Sequence, residues 1–341
     1  MKTALFASAA VIALAAFGTT VAFAQSRDTI QIAGSSTVLP FASIVAEEFS
    51  AVFPEFKTPV VGSGGTGGGL KQFCEGVGDN TIDIANASRP IKDAEREACV
   101  ANGVTDIREV QFGFDGIVFA SAAAGADFAL TPVQIYKAIA AKVYVDGALV
   151  DNPYKTWNEI DASLPNQPIS LAIPASNHGT REVFQEKVVT AGFKASGHPE
   201  GLSEDEVKAL ETTFRQDVVI EISGDYTETL ARLNSDKNTV GVFGLSFYEQ
   251  NTDTLKVATI DGIVPSKESV AAGEYPVSRP LFFYVKGQHI GVIPGIEEYV
   301  QFFLSEGIAG NGGTLESAGL IPQPADKTAE VLAAFEAGAA Q

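Results

Sequence analysis

Four times along this sequence a short run of β-forming residues ends in a glycine- or hydroxyl-rich turn and gives way to a stretch whose apolar residues recur at helical spacing. TIQIAG at 29–34 reads as a strand ending in glycine. From Pro40 to Phe53 the apolar Phe41, Ile44, Val45, Phe49, Val52 and Phe53 follow a helix's period, with Pro40 suited to a first turn. TPVVGSGGTGGGLKQF repeats the plan with a helix through Leu70 and Phe73, and TIDIANASRP does so with a helix through Ala94 and Ala98. In ISLAIPASNHGTREVFQEKVV, Asn177 can cap a helix containing Val183, Phe184 and Val188. Strands that alternate with helices need crossover connections, the pattern of an α/β protein with mostly parallel strands. The 341 residues suffice for two cores. Two apolar runs, VQFGFDGIVFA near residue 115 and RPLFFYVKG near residue 283, are where the chain would cross between lobes and return. The expected division is 25–116 plus 284–341 for one lobe and 117–283 for the other, with the segment from IPGIEEYVQFFLSEG onward packed back on the first.

The turns collect donors: Ser35, Ser36 and Thr37; Ser63 and Thr66; Ser88 beside Arg89; and Asn177, His178, Gly179 and Thr180, followed by Arg181. In an open α/β sheet such turns gather at the carboxyl ends of the strands, so donors distant in sequence converge on one crevice. Helix N-termini there offer unpaired N–H groups and a partial positive charge. The ligand this implies is a small, multiply hydrogen-bonded oxyanion. Any one turn taken alone reads first as helix capping, and it is four such turns in one chain that shift the balance toward a ligand; Arg89 and Arg181 read either as solvated or ion-paired groups or as charged donors to an anion. GSGGTG at 62–67 also fits the dinucleotide pattern G-x-G-x-x-G, but an exported chain meets little NAD and Asp83 reads equally well as part of a strand. Lys71 is misplaced for a Walker loop, and there is no G-x-S-x-G elbow of a serine hydrolase.

Acidic residues number 42 against 23 basic ones, a formal charge of −19 that repels nucleic acid and anionic membrane surfaces alike. The start of the chain has one early cation, Lys2, then an uncharged apolar stretch and Ala22-Phe23-Ala24, the pattern of a secretory signal. Cleavage is expected after Ala24, leaving a free protein in the periplasm. In that oxidising compartment the two cysteines, Cys74 and Cys99, are expected to pair, stabilising the fold by about 3 kcal/mol on a chain-entropy argument. His178, His198 and His289 are scattered without metal-ligand spacing, so neither metal nor cofactor is expected.

In this order, GSSTVLPF at 34–41, the GSGGTGGGLKQF loop, IDIANASRPI, SNHGTREVF at 176–184, VGVFGLSFYEQ at 240–250 and YPVSRPLFFYVKG at 275–287 resemble the periplasmic phosphate-binding proteins of ABC transporters. The resemblance spans essentially the whole chain beyond the signal. It implies a two-lobed Venus-flytrap fold of the type II periplasmic class, with a mixed, mostly parallel sheet in each lobe. Phosphate would be held between the lobes by hydroxyls, backbone N–H groups and an arginine, then delivered to an inner-membrane ABC permease. Matched residue by residue, Thr37 and Val38 fall on the first-turn ligands with Ser36 beside them, Thr66 on the second-turn hydroxyl, Ser88 on the third-turn position, and Gly179 and Thr180 on the last-turn donors. Three positions depart from the best-known pattern: His178 stands for a serine, Pro174 for an arginine ligand, and Ser88 for an aspartate that accepts the phosphate proton. Arg181 or Arg89 would then supply the cation. Asp115, a carboxylate inside the apolar FGFDGIVFA, would be the proton acceptor, or else part of an Asp-Gly turn or tied to a nearby arginine. A monomer without catalytic activity is expected. A binder of another tetrahedral oxyanion such as sulfate or molybdate, or a secreted phosphatase, is the alternative.

Overall fold

The computed structural model describes residues 27–176, 180–223 and 226–338. The expected signal with its cleavage point after Ala24, and the turn residues Asn177, His178 and Gly179, lie outside the described residues. The first three strand–turn–helix units are β1 (Gln31–Gly34) with α1 (Leu39–Val52), β2 (Val60–Ser63) with α2 (Gly65–Phe73), and β3 (Ile84–Ala87) with α3 (Asp93–Ala101). Pro40 lies in the first turn of α1, whose periodic Phe41, Val45 and Phe49 are buried. The glycines of the second unit have a packing role: a Cβ on Gly69 would stand 2.4 Å from the Gly34 Cα, and a Cβ on Gly34, at φ +143°, would stand 2.1 Å from the Asn86 carbonyl oxygen. α2, β1 and β3 approach backbone to backbone here, which only glycine allows.

A 16-residue strand, β4 (Ile107–Ala122), follows. Next come β5 (Leu171–Pro174) and α4 (Thr180–Val183), which runs on through π-helical turns at Phe184–Thr190. Strands β6 (Val219–Ile222), β7 (Val240–Gly244) and β8 (Ser278–Lys286) complete the main path, whose order is β2-β1-β3-β8-β4-β7-β5-β6. β1 runs parallel to β2 and β3, and β5 runs parallel to β6 and β7. The long β4 and β8 are antiparallel to each other and to their outer neighbours, joining the two parallel sets.

One large core lies on each of these two sets, and a smaller one covers the other face of the first set. β4 contributes Val110 and Phe112 to the first and Ile117 through Ala120 to the second. The return comes earlier than the expected boundary at 283/284, since Val277 packs in the second core but Leu281 and Phe283 pack in the first. The reason is that β8 pairs with the first half of β4 and is covered on both faces, with Leu281, Phe283 and Val285 on one side and Phe282 and Tyr284 on the other. A helix at Ile296–Phe303 and the last helix, Ala325–Ala337, return Tyr299, Phe303 and Phe335 to the first core. Cys74 and Cys99 form a disulfide between the end of α2 and α3. Among the described residues no helix is long and apolar enough to cross a membrane.

Candidate functional site

The first three turns come together because β1, β2 and β3 are neighbours ending at the same edge. Ser35 N–H donates to the Asn86 carbonyl at 2.8 Å, and Gly64 N–H donates to the Gly34 carbonyl at 2.9 Å. Thr66 Oγ1 accepts the Ser88 N–H at 3.1 Å and shares a 3.2 Å hydrogen bond with the Ser88 hydroxyl. Thr37, Thr66, Ser88 and Thr180 are all buried. Ser36 is exposed at the head of α1, while the Val38 side chain is wholly buried in the first core, leaving only its main chain for a ligand. The Ser35 hydroxyl accepts the Thr37 N–H at 3.2 Å, a local turn bond, while α1 starts after Val38 without a side-chain cap.

The cation beside Thr37 is Arg279, within the YPVSRPLFFYVKG segment. It is 3% exposed and donates from Nη2 to Thr37 Oγ1 at 2.6 Å and from Nη1 to Glu186 Oε2 at 3.1 Å. Arg279 stands directly opposite Asp115 across the β4–β8 ladder, its Nε 3.7 Å from Asp115 Oδ2. That gap exceeds a hydrogen bond, and neither Nε nor Oδ2 has another partner. Asp115 is therefore no Asp-Gly turn residue but a strand carboxylate facing an arginine. Burial pushes its pKa up to about 6, against the pull of Arg279 and with help from the nearby negative charge of Glu182.

Arg89 and Arg181, expected as the cation, are engaged elsewhere. Arg89 makes a bidentate pair with Glu95 at 2.7 and 2.8 Å, an acid that also accepts the N–H of Lys92 ahead of α3. Arg181 donates to the Pro174 carbonyl at 2.7 Å and to Glu221 at 3.0 Å, and lies over the Phe214 ring. Each is occupied by a local acid, the ordinary outcome for an arginine in an acidic chain.

A cleft of about 310 Å³ joins the two halves of this arrangement, lined by Thr37 and Asp115 on one side and by Thr180, Tyr226, Gly244 and Ser246 on the other. Tyr226 is hydrogen-bonded to Thr180, and burial raises its phenol well above the ordinary range. Sequence reasoning missed Arg279, Tyr226, Glu182 and Asn86, whose amide nitrogen is buried without a partner at the end of β3. The signal for Arg279 was present, because a charge within the apolar VSRPLFFYV needs a buried partner just as Asp115 does. Arg279 reaches the cleft through its bond to Thr37, so that a guanidinium, hydroxyls and the Asp115 carboxyl stand side by side, a set suited to holding a partly protonated oxyanion.

Fold and cleft together define an α/β binding protein with a candidate site between two parallel sets of strands. Residues 19–307 match the PBP superfamily domain, and the chain belongs to that superfamily. Protein SphX of Synechococcus elongatus is 31% identical over 337 residues, covering 95% of this chain and 88% of the relative. The phosphate-binding protein PstS of Staphylococcus epidermidis is 29% identical over 298 residues, covering 85% of this chain and 78% of the relative. The crystal structure of a possible phosphate binding protein from Planctomyces limnophilus superposes with a TM-score of 0.69 at 27% identity, over 92% of this chain and 99% of that one. An ABC-type phosphate transport receptor from Vibrio cholerae shares the fold at a TM-score of 0.55 and 19% identity, over 81% of this chain and 94% of that one. The architecture is thus the two-lobed type II binding-protein fold expected from the sequence.

Proposed function

We propose that this protein binds inorganic phosphate in the periplasm and delivers it, without chemical change, to an inner-membrane ABC permease. The observation that carries this reading is the buried Arg279, held between the Thr37 hydroxyl at 2.6 Å and the Asp115 carboxylate at 3.7 Å. A guanidinium and hydroxyls hold oxyanion oxygens, and a buried acceptor recognises the P–OH that sulfate lacks. The relatives named for phosphate binding support the same ligand. The proposed site comprises Thr37 with the main chain of Ser36 and Val38, then Thr66, Ser88, Asp115, Thr180 and Arg279, with His178 and Gly179 retained from the motif. The proposed lobes are residues up to 116 with those from 278 onward, and 117–277, divided where the two cores exchange.

Isothermal titration of ligand-stripped protein with phosphate, arsenate, sulfate and molybdate tests the reading. Tight binding of phosphate and arsenate with weak or absent sulfate binding is expected. Preference for sulfate or molybdate would overturn it, as would hydrolysis of a chromogenic phosphomonoester by the purified protein.

A further inference from the structure

The Thr37 hydroxyl and the Arg279 guanidinium already have an anionic partner, supplied by the other lobe. Thr37, in the β1–α1 turn, donates to Glu182 Oε2 at 2.7 Å across 145 residues of sequence. The second oxygen of the same carboxylate, Oε1, lies 3.5 Å from Arg279 Nη1. A carboxylate that spans a hydroxyl and a guanidinium with its two oxygens makes the contacts a bound oxyanion would make. We infer that Glu182 is an internal competitor for the ligand, occupying in the ligand-free protein the donors an incoming phosphate must take.

Charge makes the competition unavoidable. Asp115, Glu182 and Glu186 all lie within 4 Å of Arg279. With Glu182 left in place, an arriving phosphate would meet a carboxylate at contact distance while the hydroxyl it needs was already spent, and like charges at such separation repel strongly. Glu182 can leave. Its side chain is 43% exposed near the start of α4, so rotation into water costs little, whereas Asp115 is buried in a strand. Glu186, 3.1 Å from Arg279 Nη1, keeps the guanidinium aimed when Glu182 departs. Binding is then an exchange of one anion for another, and the measured affinity is the difference between the two occupancies.

This inference rests on the phosphate reading above. It is tested with the wild-type protein, Glu182→Gln and Glu182→Ala, each checked for an unchanged thermal transition and titrated with phosphate. Glu182→Gln, which keeps the shape and loses the charge, is expected to bind phosphate about tenfold tighter. In Glu182→Ala the vacated place is open to small carboxylates, so sodium acetate or formate should weaken phosphate binding competitively there and leave the wild type unaffected at matched ionic strength. A purely structural role for Glu182 would not create that sensitivity. Equal or weaker binding by Glu182→Gln, or an acetate effect alike in all three proteins, overturns the inference and leaves the phosphate reading standing. Failure of the wild type to bind phosphate overturns both.

Discussion

Arg279 and Asp115 face each other across two strands, yet they divide the work of the site differently. Arg279 makes charge-assisted bonds on both amino nitrogens, so its replacement removes a donor that a bound anion would use and takes the cation from beside Asp115 and Glu182, while Glu186 keeps Lys187 at 3.8 Å. Arg279→Met is expected to weaken phosphate by roughly ten- to a hundredfold, the loss of about 1.5–3 kcal/mol. Arg279→Lys, which restores the charge without the fork, should recover only part of that affinity. Arg89→Met and Arg181→Met should stay within about threefold of wild type by the same titration, since these guanidiniums are already engaged by Glu95 and by Glu221 with the Pro174 carbonyl. Asp115 carries a pH signature. Its carboxyl is protonated in the folded state near pH 6 but only near 3.8 when unfolded, so between these values the native state binds the extra proton. Stability contributed by this group is therefore present below pH 4 and lost as pH rises to 6, a change of about 3 kcal/mol. Asp115→Asn should flatten that slope in denaturant titrations at pH 4 to 7 and stabilise the ligand-free protein above pH 6. The same variant should narrow the phosphate-to-sulfate preference by about tenfold or more, because an amide can turn a donor toward sulfate. Wild-type preference should itself decline below pH 6, where a protonated Asp115 no longer repels sulfate.

At the scale of elements, the glycine-rich segment is a contact surface as much as a turn. α2 lies on β1 through Gly69, and Thr66 rides on the first turn of the same helix, bonded to Ser88 at the end of β3. A methyl at 69 meets backbone and not a movable side chain, so the helix has to shift. Gly69→Ala should cost about 1–3 kcal/mol in chemical denaturation and weaken phosphate by displacing Thr66, although residue 69 is no ligand. Unchanged affinity in this folded variant would show that Thr66 takes no part in binding. β8 anchors the other side of the same lobe: while Arg279 starts the strand at the cleft, the buried Lys286 at its end donates to the Gly76 carbonyl and Thr81 hydroxyl, its pKa pushed down to about 8 by burial. One strand thus fixes the cation at one end and the loop following α2 at the other.

Over the whole molecule, the two cores are joined by β4 and β8, and the Thr37–Glu182 bond ties their facing edges. Ligand contacts drawn from both sides favour the closed arrangement, because only there can every donor reach the anion. Phosphate should lower the radius of gyration measured by small-angle scattering; no change with binding confirmed would argue against hinge closure. Trp157, the single tryptophan, is fully buried in the second core against Phe128, so its fluorescence should follow unfolding of that lobe more than occupancy of the cleft.

The sequence by itself determined the alternation of strands and helices, the four donor turns, the outward passage near Asp115, the cysteine pair and the resemblance that named the fold. These are local or nearest-neighbour properties: apolar period, turn chemistry and capping act within a few residues. Only the tertiary structure decided which arginine stands beside Thr37, because Arg89 and Arg181 are adjacent to turn donors in sequence while Arg279 reaches Thr37 across 242 residues. It likewise decided that Asp115 faces a cation and that Glu182 meets both Thr37 and Arg279. Strand order brings those groups together, and a charge in an acidic chain takes whichever partner the fold sets within reach, not the one nearest in sequence.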